Sequence, residues 1–342
     1  MTDKDIPKRS RRGSGAMTLR DVAMLAGVAP ITASRALNTP EQVSEEVLKK
    51  VQDAVERTGY VPNRMAGGLA SSKSRLIAAV VPSTVFSVFN ETIDALNNAL
   101  FEAGYQLMLG QTGYSAEREE LLLESVISRR PEGIFITGIM QPGRARTRLL
   151  ASGIPVVETW DLTPTPIDML IGFSHGEIGL AVAKFLMGKG RRNFAIVTAN
   201  DERAHRRNQA FCEAVKEAGL DPVYIQNVGE TRTLKSGRKA LAQILAAQPK
   251  TDAVFCSSDL LALGVLTESR ALHLRVPEHI SIMGFGDVPF VEDMIPGLTT
   301  VKINGAEIGR KAADLLRDRA QGKDIGQQIL NVGFSIVERE SA

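Results

Sequence analysis

TLRDVAMLAGVAPITASRALN (residues 18–38), with YVPNRMAGGL (60–69) behind it, decides how this 342-residue chain is read. Thr18 can cap a helix, and Asp21 stands three positions on, the spacing of a reciprocal capping box. Leu19, Val22, Ala23 and Ala26 then recur at helical spacing until Gly27 breaks the pattern. Val28 fills the corner. Pro30 suits the first turn of a second helix, where its missing N–H has no partner to lose. Ala33, Ala36 and Leu37 give that helix a small apolar face. Ser44 opens a third helix, with Glu45 and Glu46 where the helix dipole favours acids. Val47, Val51 and Val55 face inward, and Thr58-Gly59 ends it. Three short helices around a small core make a helix-turn-helix unit whose second helix would enter a DNA major groove. Arg35 is the long donor on that helix, and Thr32, Ser34 and Asn38 suit phosphates or base edges. A three-helix domain that docks protein shares the same pattern.

Charge is distributed to match. Residues 1–75 hold 13 Lys/Arg against 8 Asp/Glu, whereas the remainder holds 28 against 31. A basic head on a slightly acidic body fits phosphate contact at the head. Residues 1–16, with Lys8, Arg9, Arg11 and Arg12, read as a disordered basic tail. No apolar run is long enough for a membrane span and no secretory signal opens the chain, so a cytoplasmic protein is expected. Cys212 and Cys256 read as reduced core residues.

From Arg75 onward, buried strands alternate with helices. LIAAVVP (76–82), YQLMLGQ (105–111), GIFITG (133–138) and IPVVETW (154–160) form one parallel set, and DMLIGFS (168–174) opens a second. NFAIVTA, PVYIQNV, DAVFCSS and ISIMGFG follow, each with a helix between. Such alternation means parallel sheets covered by helices, and two sets of similar size mean two lobes with a cleft between them. Ligands in such sheets sit beyond the carboxyl ends of the strands. The candidate segments are therefore 83–89, 137–140, 159–161, 200–207, 257–259 and 285–287, with Phe173. Arg203, Arg206 and Arg207 start one helix, where cations oppose the dipole, so the cluster calls for an anionic partner.

The run from Thr18 to Ala70, helix-turn-helix and linker together, resembles the head of the LacI-type bacterial repressors, and the rest of the chain resembles that family's core from end to end. The resemblance implies an all-α helix-turn-helix head (17–62), a hinge helix (63–74) and a periplasmic-binding-protein-like α/β core (75–342). Lobe 1 would span about 75–172 plus 304–327, and lobe 2 about 173–303 plus 328–338, joined by three crossovers. It also implies a homodimer on near-palindromic operator DNA. Pro30 and Ile31 would choose the operator sequence. Thr18, Thr32, Ser34, Arg35 and Asn38 would share base and phosphate contacts. Asn63, Arg64 and Ala66 would lie in the minor groove, with Leu69 wedged into the central base step. Two features depart from the family: Ala29 replaces a capping Ser, and Gly67-Gly68 weakens the hinge helix, which would then form only on operator.

In the core, RRNQAF (206–211) resembles the family's R-x-x-G-F pattern and puts Arg207 on the arginine that clamps the effector. Phe89 and Phe173 match aromatics of the cleft wall. Asp161 matches an acid that bonds ligand hydroxyls, with Glu158 as the competing alignment. Ser258 falls where relatives carry Asn, ahead of Asp259. GFGD (284–287) departs from the GFDD of sugar-binding relatives: Gly286 replaces the first Asp and leaves Asp287. A retained arginine and a lost carboxylate, together with a likeness to the gluconate-operon repressors, imply a sugar-acid effector such as gluconate, a keto-gluconate or a phosphorylated form, with release from DNA on binding. A neutral sugar is the alternative.

Two other classes share part of this pattern. GFSHG (172–176) matches a hydrolase nucleophile elbow at Ser174, but His279, its candidate partner, precedes a buried strand. A sugar-transport protein would share the two lobes but not the head. The histidines 175, 205, 273 and 279 are scattered, with no metal-ligand spacing, and no cofactor motif is present, so neither metal, cofactor nor catalysis is expected.

Overall fold

The computed structural model describes residues 17–61, 74–85, 88–229, 232–326 and 328–342. The tail and the hinge positions Asn63, Arg64, Ala66 and Leu69 lie outside them. The chain divides into two compact units, Met1–Ser74 and Arg75–Ala342.

The first unit is α1 (Leu19–Ala26), α2 (Pro30–Asn38) and α3 (Glu45–Thr58). The capping box forms: Thr18 Oγ1 accepts from Asp21 N–H at 3.4 Å, and Asp21 Oδ2 accepts from Thr18 N–H at 2.8 Å. Gly27 closes α1 in the left-handed conformation, φ 67°, which lets the chain turn tightly into α2. Val22, Ala23, Ala33, Ala36, Val51 and Ala54 make the core. At Ala29, the residue flanking α2, no side chain caps the helix.

The second unit carries two six-stranded sheets. The first contains β1 (Leu76–Val81), β2 (Gln106–Gln111), β3 (Gly133–Thr137), β4 (Val156–Thr159) and β5 (Met169–Gly172), interleaved with α4 (Asn90–Glu102), α5 (Ala116–Ser128) and α6 (Arg144–Ser152). The second contains β6 (Phe194–Thr198), β7 (Tyr224–Asn227), β8 (Ala253–Cys256), β9 (Ser281–Phe285) and β10 (Thr299–Lys302). Its helices are α7 (His175–Gly188), α8 (Glu202–Glu217), α9 (Leu234–Ala247) and α10 (Asp259–Ala271). The chain then returns to the first lobe as α11 (Gly305–Ala320), which packs on α4. It ends on β11 (Ile329–Asn331) and β12 (Ser335–Val337). The strand orders are β11-β5-β4-β3-β1-β2 and β12-β10-β9-β8-β6-β7, parallel except for β10 with β12.

Two expectations are corrected. DMLIGFS does not open the second set, because β5 pairs with β4 and completes the first sheet. Residues 328–338 do not belong to lobe 2 as a block, because β11 pairs with β5 while β12 pairs with β10. The run ILNVGFSIV reads as one strand but is bent at Gly333 (φ 66°), whose N–H donates to Asn331 Oδ1 at 2.9 Å. Three residues, 332–334, therefore pass from lobe to lobe there.

Helices α7 and α8 pack unusually close. A Cβ on Gly179 would lie 2.1 Å from the backbone oxygen of Arg207, so only glycine permits this approach. The contact fixes the first turns of α8, which carry the arginine cluster. Both cysteines are free, and burial raises both thiols.

Candidate functional site

On the head, α2 turns Pro30, Ile31, Arg35 and Asn38 outward, with Thr32 and Ser34 half-buried. Ile31 is 63% exposed, an apolar residue left uncovered among the described residues. Arg35 makes no ion pair among the described residues. Asn38 Nδ2 donates to the Ser34 carbonyl at 2.9 Å, which leaves its amide oxygen available. Thr18 is engaged in the capping box.

Between the two lobes of the core lies a cavity of about 560 Å³. The first lobe supplies an aromatic wall of Phe89, Tyr114 and Trp160. The second supplies Arg203 and Arg207 from the start of α8, Arg232 ahead of α9, and Ser257 and Ser258 after β8. Each arginine is backed by a ring. Arg207 lies 4.0 Å from the Phe285 centroid, Arg232 4.0 Å from Tyr114, and Arg203 5.3 Å from Phe89. A ring face holds a guanidinium flat and leaves its N–H edge for a planar acid.

Arg207 is 4% exposed. Its Nη1 donates to His175 Nδ1 at 3.0 Å, and its Nη2 reaches the Ser257 carbonyl at 3.5 Å. Its Nε has no partner, and no carboxylate lies within ion-pair distance among the described residues. Burial, with Arg203 and Arg232 nearby and Asp201 opposing, lowers Arg207 to about 10, so it stays charged at neutral pH. His175 accepts from Arg207, so its Nε2–H donates to the Trp160 carbonyl at 3.0 Å, which fixes the neutral tautomer. Burial and the arginines push it down to about 2.

Asp201 caps α8, accepting from Ala204 N–H at 2.8 Å, and pairs with Arg232 at 2.6 Å. Burial alone would raise its carboxyl; Arg203, Arg207, the Ala204 N–H and Arg232 hold it at about 2.

The acids named from sequence are spent elsewhere. Asp161, 3% exposed, does not line the cavity; it pairs with Arg206 across the lobes and accepts from Leu162 N–H at 2.8 Å. Its alternative, Glu158, is wholly buried and takes the N–H groups of Met140 and Ile167 at 2.6 and 2.7 Å. Asp287 is turned away and pairs with Lys302 at 2.9 Å and Arg339 at 2.8 Å. Asp259 lines the cavity, but its oxygens accept from Thr300 Oγ1 at 2.6 Å and Val288 N–H at 3.0 Å. Burial raises it to about 6. Ser258 lines the cavity while capping α10. Phe173 is fully buried behind the wall, edge-on to Trp160 and His175 at 5.6 and 4.9 Å.

Gly286 has a physical reason to be glycine. Its φ is 136°, and a Cβ there would meet Asp259 Oδ2 at 3.1 Å and Val88 at 3.2 Å. An aspartate at this position would carry a strained backbone into a second carboxylate.

Sequence reasoning missed Tyr114, Arg232, Asp201 as a partner of Arg232, and His175 as the support of Arg207. The carboxyl-end rule applied to the loops after YQLMLGQ and PVYIQNV reaches Tyr114 and Arg232. Ser174 caps α7, its Oγ accepting from Glu177 N–H at 3.1 Å, and no histidine bonds to it among the described residues. His279 instead binds Arg275.

Comparison with known proteins places both units. Residues 18–63 match the family model of bacterial regulatory proteins, lacI family, and residues 183–342 match a periplasmic binding protein-like domain. The HTH-type transcriptional regulator GntR of Pseudomonas aeruginosa is 37% identical over 97% of this chain and 98% of its own length. The Escherichia coli protein of the same name is 33% identical over 93% and 96%. The crystal structure of a LacI-family transcriptional regulator from Silicibacter pomeroyi superposes with a TM-score of 0.89 at 31% identity, covering 95% of this chain and 99% of that one. The chain belongs to the lacI family of bacterial regulatory proteins and is a transcriptional regulator.

Proposed function

We propose that the protein is a homodimeric repressor that leaves its operator when a small sugar acid occupies the cleft and pairs with Arg207. One observation carries this: a buried guanidinium with an unpartnered Nε and, among the described residues, no carboxylate within ion-pair distance, facing a ligand-sized cavity. Removing a cation from water costs several kcal/mol, and a planar carboxylate binding through two parallel N–H bonds offsets that cost. A neutral sugar gains less. The wall carboxylates that would accept its hydroxyls are bonded to Arg206, Arg232, Thr300 and Val288.

The head supplies the DNA side. Arg35 meets phosphate or a guanine edge, and Pro30 and Ile31 meet bases, with Thr18, Thr32, Ser34 and Asn38 completing the contacts. Asn63, Arg64, Ala66 and Leu69 would follow in the minor groove. Two heads on a near-palindromic site require two copies of the chain.

The test is a thermal-shift and titration panel of gluconate, keto-gluconates and their phosphates beside neutral sugars and purines, each repeated with operator DNA. Saturable stabilisation by an acid, absent in Arg207→Ala and accompanied by release of DNA, is expected. Stabilisation by neutral sugars or purines alone overturns the acid effector and leaves the operator-binding regulator intact.

A further inference from the structure

The ions around the cleft form closed groups, with one remainder. Asp161 is matched by Arg206 across the lobes. Asp201 is matched by Arg232. Asp287 is matched by Lys302 and Arg339, with Glu292 also 4.0 Å from Arg339, while Asp259 is bonded to Thr300 and Val288. Arg203 and Arg207 are left. Neither makes an ion pair among the described residues, and each keeps a buried nitrogen without a hydrogen-bond partner, Nη1 of Arg203 and Nε of Arg207. Glu119 acts on Arg203 only at longer range and is itself pushed towards its neutral form by burial.

These two guanidiniums stand four residues apart on α8, on one face and about 6 Å from each other at Cβ. They do not converge on one point. Arg207 is buried against Phe285 of the second lobe, while half-buried Arg203 lies over Phe89 of the first. Two like charges at close quarters in a site of low dielectric repel, and Asp201 and Asp161, which act on them from beyond ion-pair distance while paired with Arg232 and Arg206, offset them only in part.

We propose that the occupant of the cleft is a dianion with its charges at separate groups: one anionic end deep at Arg207, the other at Arg203 beside Phe89. This rests on the acid effector proposed above and narrows it to a sugar acid bearing a second anionic group. That group is either a second carboxylate or a phosphate; both present the same chemistry to an arginine edge.

The experiment is calorimetric titration of the full-length protein with gluconate (one charge), glucarate (two carboxylates), 6-phosphogluconate (carboxylate and phosphate) and glucose 6-phosphate (one phosphate and no carboxylate). At least one of the two double-ended acids is expected to bind about tenfold or more tightly than gluconate. Whichever it is identifies the second group. Arg203→Gln is expected to abolish that preference and to leave gluconate affinity within about twofold. Gluconate binding as tightly as both double-ended acids overturns the proposal, as does an Arg203→Gln variant that weakens gluconate as much as the dianions. Glucose 6-phosphate binding as well as 6-phosphogluconate overturns the separation of the two charges. Arg207-dependent gluconate binding with no dianion preference breaks this inference alone, whereas failure of every acid breaks the acid effector as well. Should Arg203→Gln not fold, the unmodified protein still decides: affinity for a two-charge ligand must fall more steeply with salt than affinity for gluconate, and equal slopes refute the proposal.

Discussion

Helices α2 and α8 both present arginine, and they do so in opposite ways. On α2, Arg35 stands in solvent beside exposed Ile31, while Ala33, Ala36 and Leu37 pack the helix onto the core of the head. On α8, Arg207 is buried, stacked on a ring and bonded to a neutral histidine. An exposed arginine suits a polyanion, where attraction is long-ranged, additive and screened by salt. A buried arginine suits one small acid, because its uncompensated charge is costly until that acid arrives. The same side chain thus serves two kinds of recognition, and burial decides which.

Substitutions can break this contrast. Arg207→Ala is expected to lower acid affinity by about tenfold to more than a hundredfold, the worth of charge-assisted hydrogen bonds, with operator affinity in the absence of acid unchanged. Parallel titrations of acid and DNA would show it, and an unchanged acid affinity would sink the role given to this residue. Arg35→Ala is the mirror image: operator binding weakens by about 1–3 kcal/mol or its salt slope falls by about one, with acid binding untouched. Gly179→Ala tests whether α8 is held from behind. Its Cβ would meet the Arg207 backbone, so the core should lose about 1–3 kcal/mol in urea denaturation while the head is unaffected.

Acidity sharpens the contrast further. His175, ordinarily near 6.5, is held at about 2 in the folded core. Below pH 6.5 the unfolded chain takes up a proton that the folded one refuses, so stability falls by about 1.4 kcal/mol per pH unit. Asp259, raised to about 6, works the other way. Between pH 6 and 4 the folded chain holds a proton that the unfolded one has released, so acidification is stabilising there. The two oppose each other over that window. In His175→Gln only the second remains, so the core should gain stability from pH 6 to pH 4.5 relative to the parent. Parallel profiles for the two proteins would contradict this assignment. The smallest expected effect is at the head. Ala29→Ser supplies the cap that α2 lacks and should raise the stability of the head by about 0.5–1 kcal/mol, read from its own melting transition.

Much of the fold was legible because its signals are local. The capping box at Thr18, the break at Gly27 and the strand–helix alternation are each set by a few neighbouring residues. The division of ILNVGFSIV between two sheets was not, because its nine residues are continuous in β-pattern and only Gly333 marks the bend. The site followed the same rule. The arginine cluster could be named because its helix start is recognisable, and Arg207 within it because RRNQAF resembles the family's pattern. Asp161 and Asp287 could be named but not placed, since their partners Arg206, Lys302 and Arg339 are set by the lobes meeting and not by spacing. Arg232 carries no local signal and His175 reads only as one of four scattered histidines, because each gains meaning only from a residue distant in the chain or across the cleft.

Trp160 is the single tryptophan of the chain, and it lines the cleft. Its indole stands edge-on to Phe89 at 4.9 Å, its Nε1–H donates to Thr92 Oγ1 at 3.2 Å, and its carbonyl accepts from His175 Nε2–H. The protein therefore carries one native indole fluorophore, which can be excited apart from its four tyrosines, and it sits in the wall that a bound molecule would touch. Its emission reads out occupancy of the cleft without any label, undiluted by other indoles, in the same cuvette in which operator release is followed.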